Sequence, residues 1–237
     1  MTAPHDPAPE DAELHETPEE AVFALIEADT FLQQRRQIWE PACGPGQLVD
    51  ALQKAGHTVW ASDVYKYEGR WAAHPDTTRH WKKDFLDPET HRLKCGAEAI
   101  VMNPPFSQSD AFITCALGLV PRVYALLPLG WMQGGPGVPM RDHLLDGPEY
   151  WRRCYPFRER LPTMHRDGWT GRKARTMHKH AWFVFGKPKG REEQAAQRIG
   201  TPITTRISIE GLAAAVSQAA AQAQSRRGQG PGDSGEQ

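Results

Sequence analysis

The sequence has no long apolar run and no cysteine pattern, and these absences restrict what the chain can be. None of its 237 residues form a stretch that resembles a membrane span or a secretory leader. The four cysteines are too scattered for a zinc site. No cysteine or carboxylate pair near His165, His178 and His180 completes a metal set. We therefore expect a protein of the reduced cytoplasm that binds no membrane and no metal.

Net charge is also nearly absent, at −1, but the two signs are segregated along the chain. Residues 1–16 carry acids, prolines and alanines without Lys or Arg, which predicts a disordered leader. From Tyr150 to Gly190, eleven basic side chains stand against two acidic ones. We expect one domain over residues 17–190 with a basic loop at 161–180. An Ala/Gln-rich tail over 191–237 is expected to form one weak helix and then to be disordered.

Strand and helix patterns alternate through the middle of the chain. Gln37–Glu40 reads as a strand, and a glycine turn, a helix at Gln47–Lys54 and a strand at His57–Ser62 follow, which together make a βαβ unit. Further strands are predicted within 80–84, 99–102, 122–129, 153–161 and 180–187, the last two as a hairpin. This alternation predicts a doubly wound, mostly parallel sheet.

Two local patterns give further expectations. Thr17, Pro18 and Glu20 have the spacing of a helix cap, first helical position and capping-box acid. The Gly/Pro content of residues 130–147 predicts a long loop.

The turn between the first strand and helix has too few glycines for a dinucleotide site. Gly44 and Gly46 are present, but Val49 stands where a third glycine would be needed, so hydride-transfer enzymes fit poorly. Glycines before a helix still allow a nucleotide-like ligand to approach the backbone. Glu40 before the turn and Asp63 after the second strand suit a ligand with an amino-acid part and a ribose.

A second site is indicated by "EAIVMNPPFSQSD", residues 98–110. Proline cannot donate to a sheet ladder, so the strand must end at Asn103, and Pro104 and Pro105 make a stiff turn. In a parallel sheet this strand end is where ligands bind. Phe106 then offers a ring face, although a core-packing role is its alternative.

The motifs "EPACGPG", Asp63, "DFLD" and "NPPF", in this order, resemble those of S-adenosylmethionine-dependent DNA amino-methyltransferases. The stretches "YALLPLGW", "MHRDGWTG" and "HAWFVF" are similar to small phage and prophage orphan N6-adenine methyltransferases, and the resemblance covers residues 38–186. It implies a Rossmann-like class I methyltransferase fold, with a doubly wound, mostly parallel seven-stranded sheet whose last strand is antiparallel.

The resemblance also assigns a cofactor, S-adenosylmethionine, and the residues that bind it. The methionine part would be flanked by Glu40, Pro41, Ala42, Cys43, Gly44 and Gly46, the ribose by Asp63 and Val64, and the adenine by Asp84 and Phe85. For Cys43 itself a structural role is favoured.

The catalytic residues implied are Asn103, Pro104, Pro105 and Phe106. The Asn103 side-chain oxygen and the Pro104 carbonyl would accept both hydrogens of an exocyclic amine, so that its lone pair turns toward the methyl group. Pro105 would keep the turn rigid, and Phe106 would stack on a base flipped from a duplex or taken from a single strand. No Pro-Cys pair occurs, which disfavours cytosine C5 chemistry.

Nucleic acid is the expected partner because basic and aromatic residues are interleaved between Tyr150 and Trp182, a segment that includes the loop "HRDGWTGRK", residues 165–173. We expect this loop to contact DNA through His165, Arg166, Trp169, Arg172 and Lys173. A solvated charged face is the alternative. No segment is long enough for a large recognition domain, so the recognised sequence is expected to be short or relaxed.

The foremost function is methylation of adenine N6 in DNA. N4-cytosine, an RNA base and a protein glutamine remain as alternative acceptors, and a nucleic-acid-binding module without catalysis is the alternative from another class. The sequence decides neither the target site nor the oligomeric state.

Overall fold

A computed structural model describes residues 16–65, 77–81, 83–93, 96–133, 139–147, 150–162 and 178–212. The helices are α1 (Glu19–Ala28), α2 (Gln47–Lys54), α3 (Ser109–Leu119), α4 (Pro139–Asp146) and α5 (Gly190–Arg198), and short 3₁₀ helices lie at Thr90–Leu93, Phe106–Gln108 and Leu129–Met132. The strands are β1 (Gln37–Glu40), β2 (Thr58–Asp63), β3 (Thr77–Trp81), β4 (Ala99–Met102), β5 (Arg122–Pro128), β6 (Trp151–Pro156), β7 (His180–Gly186) and β8 (Ile203–Thr204).

The described strands form one sheet in the order β3-β2-β1-β4-β5-β7-β6-β8. β1 to β5 pair in parallel, β7 is antiparallel to both β5 and β6, and β8 is parallel to β6. The predicted doubly wound, mostly parallel sheet with a late antiparallel strand is therefore confirmed. The two-residue strand β8 adds an eighth strand at one edge.

The central strands are apolar because both of their faces are covered. Side chains of β4 alternate between two cores: Val101 packs on the side of α1 and α2, whereas Ile100 and Met102 pack on the side of α3. All four residues of β4 and all seven of β7 are buried. The polar ends of the strands thus carry the groups that can reach a ligand.

Two local expectations differ from the structure. Pro18 occupies the cap position of α1, and Thr17 is buried just before it. The loop predicted over residues 130–147 is wrong, because α4 lies within that range. Leu144 of α4 is buried in the core beside α3, so tertiary packing stabilises a helix where the Gly/Pro content indicated none.

Packed structure continues past residue 190, where the tail was expected to begin. Glu193 of α5 is 1% exposed and accepts hydrogen bonds from Arg122 and Arg153. β8 pairs with β6, and Ile207 is buried in the core on the α1 side. The predicted helix near residues 209–223 lies outside the described residues beyond Leu212.

The N-terminal helix is tied to strands from the far end of the chain. Asp29, directly after α1, accepts hydrogen bonds from the hydroxyls of Tyr124 at 3.0 Å and Tyr155 at 3.1 Å. The indole Nε1–H of Trp182 donates to the Ala21 carbonyl at 2.9 Å. These polar groups are buried and paired, which fixes α1 across the sheet.

No helix among the described residues combines the length and apolar character needed to cross a membrane.

Candidate functional site

A cleft of about 310 Å³ opens at the carboxyl ends of three adjacent strands. Glu40 ends β1, Asp63 ends β2, and Asn103 follows β4, and all three residues line the cleft. Because β2, β1 and β4 are neighbours in a parallel sheet, these polar groups meet at one edge although the sequence separates them.

The glycine turn forms the floor of the cleft between β1 and α2. Gly44 has φ +49° and Gly46, which caps α2, has φ +101°, a left-handed conformation that favours glycine. The Gly46 N–H donates to the Cys43 carbonyl at 2.9 Å, and the Cys43 N–H to the Ser62 carbonyl at 3.0 Å. The turn is therefore held against the end of β2, with the amino end of α2 facing the cleft.

Glu40 is fully buried at the end of β1. Its Oε1 accepts the Ala42 N–H at 3.0 Å, whereas its Oε2 is buried with no hydrogen-bond partner among the described residues. Burial raises the pKa of Glu40 well above its ordinary value, and the nearby Asp63 raises it further. A cationic ligand beside Glu40 would favour the ionised form of this buried acid and could supply the hydrogen bond that Oε2 lacks.

Asp63 connects the cleft to the glycine turn. Its Oδ2 accepts the Gly44 N–H at 2.8 Å and its Oδ1 accepts the Tyr65 N–H at 2.8 Å. Burial raises the pKa of Asp63 to about 6 in spite of these hydrogen bonds. Each carboxylate oxygen has a second lone pair, so Asp63 can also accept hydroxyl groups from a ligand.

Another wall is made by Asp84 and Phe85. Asp84 is exposed, and its Oδ1 accepts the Leu86 N–H at 2.9 Å. Phe85 is 1% exposed, and its ring centroid lies 5.2 Å from those of both Trp39 and Phe112. Phe85 thus lines the cleft as part of the core, and the neighbouring Val64 is half exposed.

The Asn103–Phe106 turn contributes another part of the cleft lining. Asn103 and Pro105 line the cleft, Pro104 is buried, and Phe106 is partly buried against the core on the α3 side. The Phe106 ring lies 6.2 Å from the ring of His180, the first residue of β7. Phe106 therefore packs on the core, as its alternative role predicted, while its stacking on a base stays a prediction; neither Phe106 nor Pro104 is among the residues that line the cleft.

Several residues that line the cleft were missed at the sequence level. They are Glu16, Thr17, Pro45, Gln47, Leu48, Tyr65, Lys83, Ser107, Gln108 and Phe112. Glu16 accepts a hydrogen bond from the Gln47 Nε2 at 2.7 Å, which brings the segment before α1 over the glycine turn. Thr17 and Pro18 mark this segment in the sequence, but their pattern is also that of a helix cap and does not by itself predict a place in the cleft.

The predicted nucleic-acid contacts lie outside the described residues. They are His165, Arg166, Trp169, Arg172 and Lys173. Within the described part of the chain, no three His, Cys, Asp or Glu side chains group closely enough to hold a metal ion.

Comparison with solved structures identifies the fold. A methyltransferase subunit of a type I restriction-modification system from Streptococcus thermophilus superposes with a TM-score of 0.54 at 12% identity, over 86% of this chain and 53% of that one. A Pyrococcus horikoshii protein assigned as an RNA methyltransferase gives a TM-score of 0.52 at 15% identity, over 74% of this chain and 87% of that one. The chain has the class I methyltransferase fold.

The methyltransferase fold does not by itself fix an acceptor. A Streptococcus thermophilus protein assigned as a hemolysin superposes equally well, with a TM-score of 0.54 at 9% identity, over 92% of this chain and 78% of that one. This chain also spans only about half the length of the restriction-modification subunit, at 53%. No family model matches the sequence, and no curated protein matches it. The substrate must therefore be argued from the cleft.

Proposed function

We propose that the protein transfers a methyl group from S-adenosylmethionine to an exocyclic base amine in DNA, with adenine N6 as the acceptor. The observation that carries this proposal is the shared cleft. The glycine turn, Asp63 and Asn103 line one cavity of about 310 Å³ at adjacent strand ends. A cofactor side and an acceptor side are thus combined in a single site.

The residues present fit the cofactor. The unused Glu40 Oε2 can accept a hydrogen bond from the amine of the cofactor. The N–H groups in the first turn of α2, which have no partner within the helix, can bind the carboxylate of the cofactor. Asp63 retains acceptor capacity for the ribose hydroxyls. Val64 lines the cleft beside the ribose position, and Asp84 and the wall formed by Phe85 remain for the adenine ring.

The chemistry supplied by the bound cofactor is an electrophilic methyl group on sulfur. Within the chain, the Asn103 side-chain oxygen and the Pro104 carbonyl accept hydrogen bonds from the two N–H groups of the base amine. These hydrogen bonds turn the lone pair of the amine toward the methyl group. Phe106, which is only partly buried, stacks on the base, and the two prolines restrict the turn. Positioning of this kind supplies roughly 7–11 kcal/mol in well-oriented reactions.

Nucleoside mass spectrometry after incubation with isotopically labelled cofactor tests the function. Unmethylated double-stranded DNA, single-stranded DNA and RNA are incubated separately with the protein. Label in N6-methyladenine from DNA supports the proposal. Label in N4-methylcytosine would make cytosine N4 the acceptor, and label only in RNA would make an RNA base the acceptor. Cofactor binding without label in any nucleic acid would leave a protein acceptor or a binding module without catalysis as the alternatives.

Cofactor affinity is expected to fall as the pH decreases through about 6, where Asp63 takes up a proton. The ionised carboxylate accepts the ribose hydroxyls, so the Asp63 contribution to affinity should be complete above pH 7 and weaken by at most about tenfold per pH unit below the pKa. Burial also raises the pKa of Glu40, which adds a separate pH dependence that Asp63→Asn should retain. Isothermal titration calorimetry between pH 5 and 8 measures this dependence. Asp63→Asn should bind more weakly and lose this part of the pH dependence. The same profile in wild type and variant would contradict the assignment.

The segment at residues 165–173 is proposed to bind DNA. Removing a phosphate contact with Arg172→Ala should weaken binding and reduce the slope of log affinity against log salt concentration by about one unit. Trp169→Ala should cost roughly 1–3 kcal/mol with an almost unchanged slope, because a stacked base rather than a phosphate is lost. Fluorescence anisotropy over a salt series measures both. A large drop in the melting temperature of Trp169→Ala, with normal DNA binding, would instead assign the ring to the core.

A further inference from the structure

A chain of hydrogen bonds leads from a buried tryptophan to the Asn103–Phe106 turn. The indole Nε1–H of Trp131 donates to the Ser109 Oγ at 2.9 Å, and the Ser109 Oγ lies 3.0 Å from the Phe106 carbonyl oxygen. A hydroxyl has a single hydrogen, and the Phe106 carbonyl at 3.0 Å is a nearer acceptor for it than Asp110 Oδ1 at 3.4 Å. Trp131 therefore donates to Ser109, and Ser109 donates to the Phe106 carbonyl, which is the final acceptor.

A carboxylate holds the tryptophan end of this chain. Asp110 Oδ1 also accepts from the Trp131 Nε1 at 2.9 Å, so the indole N–H is shared between Ser109 and Asp110. The guanidinium of Arg141 donates to both oxygens of Asp110, from Nε at 3.1 Å and from Nη2 at 3.2 Å. Its Cζ lies 5.1 Å from the Trp131 ring centroid. A bidentate arginine thus fixes the carboxylate and lies over the indole.

The network connects three separate elements of the fold. Ser109 and Asp110 begin α3, Trp131 lies in the 3₁₀ helix after β5, and Arg141 lies in α4. Trp131 also packs edge-on against Phe183 of β7, with centroids 5.3 Å apart. Ser109 and Trp131 are almost fully buried, whereas Asp110 and Arg141 are partly exposed. The end of the Asn103–Phe106 turn is consequently set by groups on α4 and after β5.

We propose that Trp131, Ser109 and Asp110 are positioning residues for methyl transfer, and that they orient the Asn103–Phe106 turn toward the acceptor base. This proposal rests on the proposed function, because it assigns a role within the same cleft. None of the three needs to touch the cofactor, since Ser109, Asp110 and Trp131 are not among the residues that line the cleft. The network acts through the Phe106 carbonyl, at the end of the turn opposite Asn103.

The test compares Trp131→Phe, Ser109→Ala, their double variant and Asp110→Asn with wild type. Trp131→Phe removes the N–H while keeping an aromatic ring in the core. Cofactor affinity should remain within about twofold, whereas the single-turnover rate of methyl transfer should fall roughly ten- to hundredfold, the scale of a misplaced catalytic group. The double variant should lose little more than either single variant, because both remove the same chain of hydrogen bonds. Asp142→Asn on α4 is the matched control and should behave as wild type.

Hydrogen exchange measured by mass spectrometry gives a readout that does not depend on activity. The Gln108 N–H donates to the Pro105 carbonyl at 3.0 Å, so its exchange reports on the order of the turn. We expect faster exchange in the peptide 103–110 of Trp131→Phe and Ser109→Ala, and the wild-type exchange rate in the control Asp142→Asn. Unchanged exchange, or rate losses that add fully in the double variant, would overturn the positioning role. A wild-type protein that binds cofactor but methylates no nucleic acid would refute the proposed function, and exchange would still decide this inference.

Discussion

Replacing Asn103 by alanine is expected to leave cofactor binding unchanged and to reduce methyl transfer by about 10²–10³-fold, as loss of one preorganised hydrogen bond does in other active sites. Asn103 follows β4, whereas Glu40 and Asp63 stand at the ends of β1 and β2. In the proposed function the Asn103 side-chain oxygen acts on the amine of the base, so its removal should affect the transition state more than the bound cofactor.

Single-turnover kinetics with enzyme saturated by cofactor separate the two effects. Calorimetry on Asn103→Ala should give the wild-type cofactor affinity, while the rate constant falls. Asn103→Asp is the matched variant, because it keeps an acceptor oxygen of nearly the same shape and should retain more activity than the alanine. An alanine variant that turns over at the wild-type rate would show that the amine is activated by another group.

Replacing Glu193 by alanine is expected to destabilise the fold by about 3–5 kcal/mol, the cost of leaving a buried charge without its partner. Glu193 is 1% exposed and accepts two hydrogen bonds from Arg122, which is 3% exposed, and a third from Arg153 at 2.7 Å. Its neighbour Glu192 also pairs with Arg153, but its side chain is 69% exposed. Glu192→Ala should therefore cost less than about 1 kcal/mol.

Urea unfolding of the two variants tests this difference. Burial alone would raise the pKa of Glu193, but hydrogen bonds from Arg122 and from the Lys189 N–H hold it below its ordinary value of 4.5. The stabilisation that Glu193 gains from its arginine partners is thus complete above pH 4.5, and it is lost as the pH falls through the lower pKa of the folded state. The difference in unfolding free energy between wild type and Glu193→Ala should therefore become smaller at acidic pH. Equal unfolding midpoints for the Glu192 and Glu193 variants at pH 7 would contradict the buried ion pair.

The sheet could be predicted from local sequence because its strands are short apolar runs that stop at polar or proline residues. Gln37–Glu40 and Ala99–Met102 were predicted with the bounds that the structure has. The edge strand β8 was not, since two residues carry no periodicity and its formation depends on pairing with β6. The helix α4 was missed because Leu144 is stabilised by contacts with distant residues rather than by local propensity.

The cleft was predictable where a motif and a strand end coincide. The glycine turn, Asp63 and Asn103 were found because each follows an apolar run, and the topology alone then brings them together. Gln47 and the segment before α1 were not found, since their approach depends on how α1 packs against α2. The pair formed by Asp110 and Arg141 joins residues 31 positions apart on two helices, and no pattern in the sequence indicates it.

The hydrogen bonds that hold α1 on the sheet affect the order in which the chain folds. Its partners Tyr124, Tyr155 and Trp182 lie 95 to 161 residues further along. During synthesis α1 is made before these partners, and its binding surface is complete only when β7 has emerged. An isolated ten-residue helix is marginal in water, so α1 should gain protection late in refolding. The first helix of the described residues would thus be among the last to dock. Nascent chains that end before β7 should leave its apolar face available to chaperones.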